Sequence, residues 1–190
     1  MVVPALSLEI LGNAQQPRSD RLPAVRAGEE VATTLLVRRY WRGAYAVANS
    51  ICHDPEVAEE VAQDAVLAAI QSLDRFDASK PFAPWLHRIA ANKAIDAARS
   101  QQRRGRLRDD LRTAIDREGP AEALPAPLAA VLEQLAPTDR AIVVLRHLFD
   151  YRSEEIGEML GMPAGTVRRR LAESLSEIRA KLPRQEVDDV

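Results

Sequence analysis

Cysteine occurs once in this sequence, at Cys52. A single thiol excludes an internal disulfide framework and fits a reducing compartment, the cytoplasm. Aromatic residues make up only 4% of the 190 residues, and β-branched runs are short. Alanine, leucine, arginine and glutamate dominate instead, which predicts an all-α fold. No apolar run approaches the roughly 20 residues of a bilayer-spanning helix, so membrane insertion is not expected. The leading "MVVPALSLEIL" has no basic flank and carries Glu9, which argues against a signal peptide. His53, His87 and His147 are scattered, with no metal-ligand spacing and no partner for a nucleophile, and no glycine-rich phosphate loop is present. Catalysis, a metal and a cofactor are therefore not expected.

What is there is a chain 46% hydrophobic and 28% charged, enough apolar material for one packed domain or two small ones. The net charge of -2 hides a segregation. "DPEVAEEVAQD" (54–64) holds Asp54, Glu56, Glu59, Glu60 and Asp64 with no base, whereas "RSQQRRGRLR" (99–108) holds Arg99, Arg103, Arg104, Arg106 and Arg108 with no acid. Such separation points to partners of opposite sign, or to one partner met by different faces.

Residues 1–28 are broken by Pro4, Pro17, Pro23 and Gly28 and are expected to form a flexible extension. Helical period then sets in, with Leu36, Tyr40, Ala44, Val47 and Ile51 on one face. Asp54 is placed to cap a second helix that starts at Pro55 and runs to about Leu73. A loop, "DRFDASKP" (74–81), leads to a helix over roughly 82–103 with Phe82, Leu86, Ile89 and Ile95 inward. These elements make a first domain, 29–104. Residues 105–127 are charged and rich in proline and glycine, and read as a flexible linker. A second small helical domain follows over 128–183, with a tail over 184–190. In it Thr138 and Ser153 are expected as helix caps, Gly161 as a left-handed helix end, and Pro163 as the start of the last helix.

A short helix, a glycine-containing turn and a second helix form a helix-turn-helix pattern. The second helix carries Arg168, Arg169 and Arg170 in succession. Successive residues turn by about 100° around a helix. If Val167 and Leu171 face inward, Arg169 points almost directly outward and Arg168 and Arg170 lie roughly 80° to either side. Arg169 then shares a groove-facing side with Gly165, Ala172, Glu173 and Ser176, while its neighbours face the phosphates of the groove walls. Arginine suits guanine O6/N7 and glutamate suits cytosine N4. The same arginines also fit a merely solvated helix face, and the same turn occurs in plain helical bundles.

In combination these segments resemble the bacterial RNA polymerase sigma factors of the extracytoplasmic-function class. "DPEVAEEVAQDAVLAAI" is similar to the family's acidic helix. "DRFDASKPFAPWLHRIAANKAIDAARSQQRR" is similar to its promoter-melting segment, with the Trp-Leu-x-Arg-Ile-Ala-x-Asn signature at Trp85 to Asn92. "LAPTDRAIVVLRHLFDYRSEEIGEMLGMPAGTVRRRL" is similar to its C-terminal DNA-binding domain. The resemblance spans about 35–104 and 128–182.

The resemblance implies a promoter-specificity subunit without catalysis of its own. Glu59, Glu60, Gln63 and Asp64 fall where the family docks on the polymerase β′ coiled coil, and the second domain would meet the β flap. Phe76, Ser79, Lys80, Trp85, Arg88, Asn92, Lys93 and Arg99 fall on the segment that captures bases flipped from the −10 element and lines the opened strand, with Arg103 and Arg104 beyond. Thr166, Arg168, Arg169, Arg170, Ala172 and Glu173 fall on the part of the recognition helix that meets the −35 element. The implied partners are core RNA polymerase, promoter DNA and an anti-sigma protein covering both domains. A stand-alone helix-turn-helix regulator is the alternative. It accounts for residues 138–182 and leaves the acidic helix and Trp85–Asn92 unexplained. The sequence departs from the family at Glu173, where a base is usual, at Ser174, Ser176 and Glu177, and at Val66 and Ile70, where aromatics are common. Its lead of about 30 residues is also longer than usual.

Overall fold

The structure is a computed structural model and describes residues 22–105 and 126–181. The expectations for residues 1–21, for 106–125 of the linker, for Leu182, for the tail and for the side chain of Arg104 lie outside the described residues. The described elements are α1 (Leu22–Arg26), α2 (Glu30–Cys52), α3 (Pro55–Gln71), a 3₁₀ turn (Leu73–Arg75), α4 (Phe82–Gly105), α5 (Ala126–Gln134), α6 (Pro137–His147), α7 (Ser153–Leu160) and α8 (Ala164–Lys181). No strand occurs among the described residues, and the fold is all-α.

The expected stripe closes the first unit. Leu36, Tyr40, Ala44, Val47 and Ile51 are all buried on α2, which packs on α3 and α4. The facing surfaces are built from alanine: Ala58, Ala62 and Ala65 on α3 and Ala90, Ala91 and Ala94 on α4 are fully buried. Small side chains let these helices approach closely. The cap at Asp54 is formed as the sequence predicts, its Oδ1 accepting from the amides of Glu56 (3.2 Å) and Val57 (3.4 Å) ahead of Pro55.

Several local expectations are corrected. Residues 22–28 are not a free extension, because Leu22 and Val25 are buried in the core. The proline-broken spacing hid a helix of only one turn or so. Part of the loop expected at 74–81 is the 3₁₀ turn. Thr138 caps nothing: Ala136 holds the cap position, Pro137 opens α6, and the Thr138 hydroxyl instead accepts from Arg99 (2.9 Å). Ser153 lies inside α7. The cap position is Arg152, whose amide donates to Glu155 (2.7 Å). Gly161 ends α7 at φ 66°, as predicted, since a left-handed residue without Cβ carries no steric penalty.

The second unit has α5 and α6 against α8, around Val131, Leu132, Leu135, Val143 and Ile178. Two units in sequence are nonetheless one core in space. Ala141, Ile142, Leu145, Ile156, Met159 and Val167 belong to the same buried cluster as the first unit, with α6 against α2 and α4, and α7 against α4. Periodicity marks these residues as apolar without saying which helices they meet.

A buried histidine sits on that junction. His87 of α4 shares a 2.8 Å hydrogen bond through Nδ1 with the Tyr151 hydroxyl, and its ring stands edge-on to Phe149. Its other side presses on α2, where a Cβ on Gly43 would lie 2.8 Å from Nε2, so any side chain there would have to displace the ring. Burial pushes the imidazole from 6.5 down to about 4. The folded protein therefore holds His87 neutral while the unfolded chain takes up a proton below about 6.5. Stability from this group is complete above that pH and declines as the pH falls toward about 4. By pH 5 the loss is about 2 kcal/mol. Urea unfolding at pH 7 and pH 5 should therefore show a fall that is smaller in His87→Gln by about that amount. Equal falls in the two proteins would mean that the ring is solvated.

Candidate nucleic-acid interface

Three surfaces carry the residues singled out by sequence. On α3, Glu59, Glu60, Gln63 and Asp64 are all exposed on one side of the helix. Val61, Ala62, Ala65 and Val66 point the other way into the core. Leu67 lies one turn beyond Gln63 and Asp64, 55% exposed on the same side. Its helical spacing from the acids is the signal that places it there. Asp64 is not purely an outward acid. Its Oδ2 accepts from Lys93 Nζ of α4 (3.2 Å), which joins the acidic surface to the next one.

The second surface runs along α4. Trp85, Arg88, Asn92 and Arg99 recur at helical spacing on one side, and Lys93 stands beside them. Behind Trp85 is an aromatic stack: Phe76 lies 4.8 Å from Trp85 and 5.4 Å from Phe82, and Phe82 lies 4.8 Å from Tyr40. Phe76 is only 5% exposed. Its ring is a core group that braces Trp85 and is turned away from any strand at the surface. Ser79 and Lys80 are exposed on the loop that follows. That loop is shaped by Asp77, whose Oδ1 accepts from the Ser79 hydroxyl (2.7 Å) and amide (3.0 Å). The same two bonds hold the Asp77 carboxyl below the ordinary carboxylate range.

Asn92 and Arg99 reach the second unit. Asn92 Nδ2 donates to Arg88 O (2.8 Å) and to Met159 O of α7 (2.9 Å). Arg99 donates to Thr138 and pairs with Asp96 at 3.6 Å. Sequence spacing gave no sign of either contact, because both partners lie more than thirty residues downstream.

The third surface is α7 and α8, and here the three arginines separate. Arg169 is exposed, and its Nη1 donates to both Glu173 oxygens one turn on (2.7 and 2.9 Å). Arg168 is exposed and pairs with Glu154 of α7 (2.8 Å). Arg170 turns back to α6 and pairs with Asp139 (2.9 Å), the two side chains 37% and 25% exposed. Arg170 thus ties α8 to α6 rather than lining a groove wall as its angle alone predicts. Ala172 is exposed beside Arg169, and Thr166 is half-buried in the first turn. Glu154 was missed because its partner is fixed by the fold of the turn, fourteen residues away.

Elsewhere, burial pushes the Cys52 thiol up to about 12, so it is not a thiolate nucleophile. Among the described residues no cluster of histidine, cysteine and acid has the makings of a metal site. No described helix is long and apolar enough to cross a membrane.

Residues 36–104 match the family profile of Sigma-70 region 2, and residues 126–178 match that of Sigma-70, region 4. The RNA polymerase sigma factor NccH of Alcaligenes xylosoxydans xylosoxydans is 31% identical over 183 residues, covering 90% of this chain and 98% of that protein. The ECF RNA polymerase sigma factor SigW of Bacillus subtilis (strain 168) is 27% identical, covering 85% and 95%. Among solved structures, the sigma factor RpoE in complex with the anti-sigma factor NepR from Bartonella quintana shares the fold. Its TM-score is 0.63 at 19% identity, over 82% of this chain and 98% of that one.

The division of labour among the arginines has a consequence for stability. Arg170→Met should lower the unfolding free energy by about 1 kcal/mol, since it leaves a half-buried Asp139 unpaired. Arg169→Met removes only an exposed pair and should change it by less than about 0.5 kcal/mol. Thermal melts of the two variants check the order, and equal shifts would mean that Arg170 has no anchoring role.

Proposed function

The chain belongs to the extracytoplasmic-function RNA polymerase sigma factors and is a promoter-specificity subunit, and from that premise we propose which of its residues hold each partner. The boundaries are those of the sequence: residues 29–104 for core polymerase and the −10 element, 128–183 for the −35 element. The chain carries no catalysis of its own, works in the cytoplasm with core polymerase, and leaves all nucleotidyl chemistry to it. The observation that carries the assignment is the α4 stripe of exposed Arg88, Asn92 and Arg99 with half-buried Trp85, backed by Phe76 and Phe82, together with an outward α8. A stand-alone regulator has no use for the first of these.

On α3, Glu59, Glu60, Gln63 and Asp64 meet a basic surface of the β′ coiled coil, and Leu67 supplies an apolar anchor among them. On α4, Trp85 offers a stacking face to an unstacked base, Asn92 an amide for its edge, and Arg88, Lys93 and Arg99 charges for the backbone. Ser79 and Lys80 border that strand. Both Asn92 amide hydrogens are engaged in the free protein, so capture of a base through them requires the Met159 carbonyl to withdraw. In the second unit Arg168 meets phosphate, and Arg169, Ala172 and Glu173 face the bases of the −35 element. An anti-sigma protein is the expected inhibitor, by analogy with the Bartonella complex.

Run-off transcription tests the whole. With core enzyme the chain should give a promoter-dependent product from a template selected out of a random-sequence library. No such product from the folded protein would overturn the assignment. On the selected promoter, Glu173→Arg should change preference at one base pair of the −35 element. A single good contact discriminates by about 1–3 kcal/mol. A uniform loss over all base pairs would mean that Glu173 does not read sequence.

A further inference from the structure

Arg26 belongs to the segment that the sequence left as a flexible lead, yet it makes two long-range hydrogen bonds. Its Nη2 donates to Leu73 O (2.9 Å) and to Phe76 O (3.0 Å), 47 and 50 residues away. These carbonyls bracket the 3₁₀ turn between α3 and the loop leading to α4. A contact to Asp74 at 3.9 Å adds little, since that carboxylate is 90% exposed. The helix that presents Arg26 is itself fixed, by burial of Leu22 and Val25 and by backbone bonds from Gly28 to Val25 O and from Glu29 to Ala24 O.

From these contacts we propose that Arg26 is a positioning residue for the melted-strand surface, which makes α1 a working part of the −10 unit. The chain of contact is short. Arg26 holds the backbone of Phe76, and the Phe76 ring lies against Trp85 and Phe82. The next residue, Asp77, sets the turn that presents Ser79 and Lys80. Each side of the loop thus has its own restraint, the Asp77–Ser79 turn at the tip and the Arg26 fork at the base. A guanidinium suits the second task because one planar group supplies two hydrogens at fixed angles to two carbonyls. Arg26 touches no strand itself. Without it, the Phe76 carbonyl keeps no other protein donor among the described contacts, and the loop base is free to shift Phe76 from beneath Trp85.

The inference rests on the assignment of α4 and its preceding loop to the −10 strand, and its test keeps the two apart. Full-length wild type, Arg26→Met and Arg26→Lys would be compared with core polymerase on the selected promoter. Four quantities are needed: melting temperature, affinity for core enzyme, binding of the −35 duplex, and open-complex formation read by permanganate reactivity of unpaired thymines. Arg26→Met keeps the apolar stem and removes the donors. It should lower open-complex formation about tenfold, in keeping with the loss of charge-assisted hydrogen bonds. Core affinity and −35 binding should stay within about twofold, because neither surface contacts Arg26. Arg26→Lys, which restores one charged donor, should recover part of the loss. Unchanged melting of DNA by Arg26→Met would overturn the proposal. So would a fall of all four quantities together, which marks a merely structural residue. Failure of the wild type itself to open the promoter would instead overturn the underlying −10 assignment.

Discussion

A buried guanidinium joins the two halves of this molecule. Arg140 is 3% exposed, and it donates through Nε to Leu132 O (2.8 Å), through Nη2 to Glu133 O (2.6 Å) and Leu135 O (3.2 Å), and through Nη1 to Ile51 O. Leu132 and Glu133 lie at the end of α5, Leu135 follows it directly, and Ile51 lies at the end of α2. Helix ends leave carbonyls without intrahelical donors and carry partial negative charge. The deficit at Ile51 is enforced by sequence, because the donor four residues on would be Pro55, which has no N–H. One cation therefore answers the ends of two helices from different units. Desolvation lowers the affinity of Arg140 for its proton, with Glu133 opposing, but arginine stays charged at any physiological pH. Burying that charge is tolerable because the accepting carbonyls surround it.

The functional surfaces inherit their geometry from this clasp. With α6 held on α2, α7 is brought onto α4, and Met159 O comes within reach of Asn92 and Tyr151 within reach of His87. The stripe on α4 and the outward side of α8 are thereby referred to a single core, although the residues that form them are separated by a linker. Within the first unit, alanine does the corresponding work. The close approach of α3 to α4 lets Lys93 span from the α4 stripe to Asp64 on the acidic surface. The acidic surface of α3 and the stripe of α4 are thus linked by a direct ion pair.

How much of this was legible follows from what periodicity measures. The buried stripe of α2, the cap at Asp54 and the left-handed end at Gly161 depend on residues within a turn or two of one another, and they stand as read. Caps at Thr138 and Ser153 failed because the helices begin earlier, with Ala136 and Arg152 at the cap positions, so a favoured residue type does not by itself fix where a helix starts. The family resemblance put Phe76 on the strand-capturing segment, whereas its ring is core. Arg26 and Arg140 carried no local signal at all. Each acts on backbone carbonyls, which every residue possesses, so nothing in the partner's identity betrays the contact. Leu67 follows from spacing alone, since it lies one turn beyond Gln63 and Asp64 on the exposed side of α3.

The arginine triplet shows how geometry refines a count of charges. Each member has an acid: Glu154 for Arg168, Glu173 for Arg169, Asp139 for Arg170. The triplet of the free protein is therefore locally offset by acids, which limits its non-specific attraction to DNA. The first two pairs are exposed on both sides, at 60% and 64% and at 62% and 60%. Exposed pairs contribute at most about 1 kcal/mol, so DNA can displace them at little cost. While they last, they restrain two long side chains and limit the rotamer entropy to be lost on binding. The Asp139 pair is different in kind, since it is half-buried and joins two helices. A chain organised this way relies less on the helix alone for affinity, and the polymerase that holds both units on one promoter supplies the rest through effective concentration.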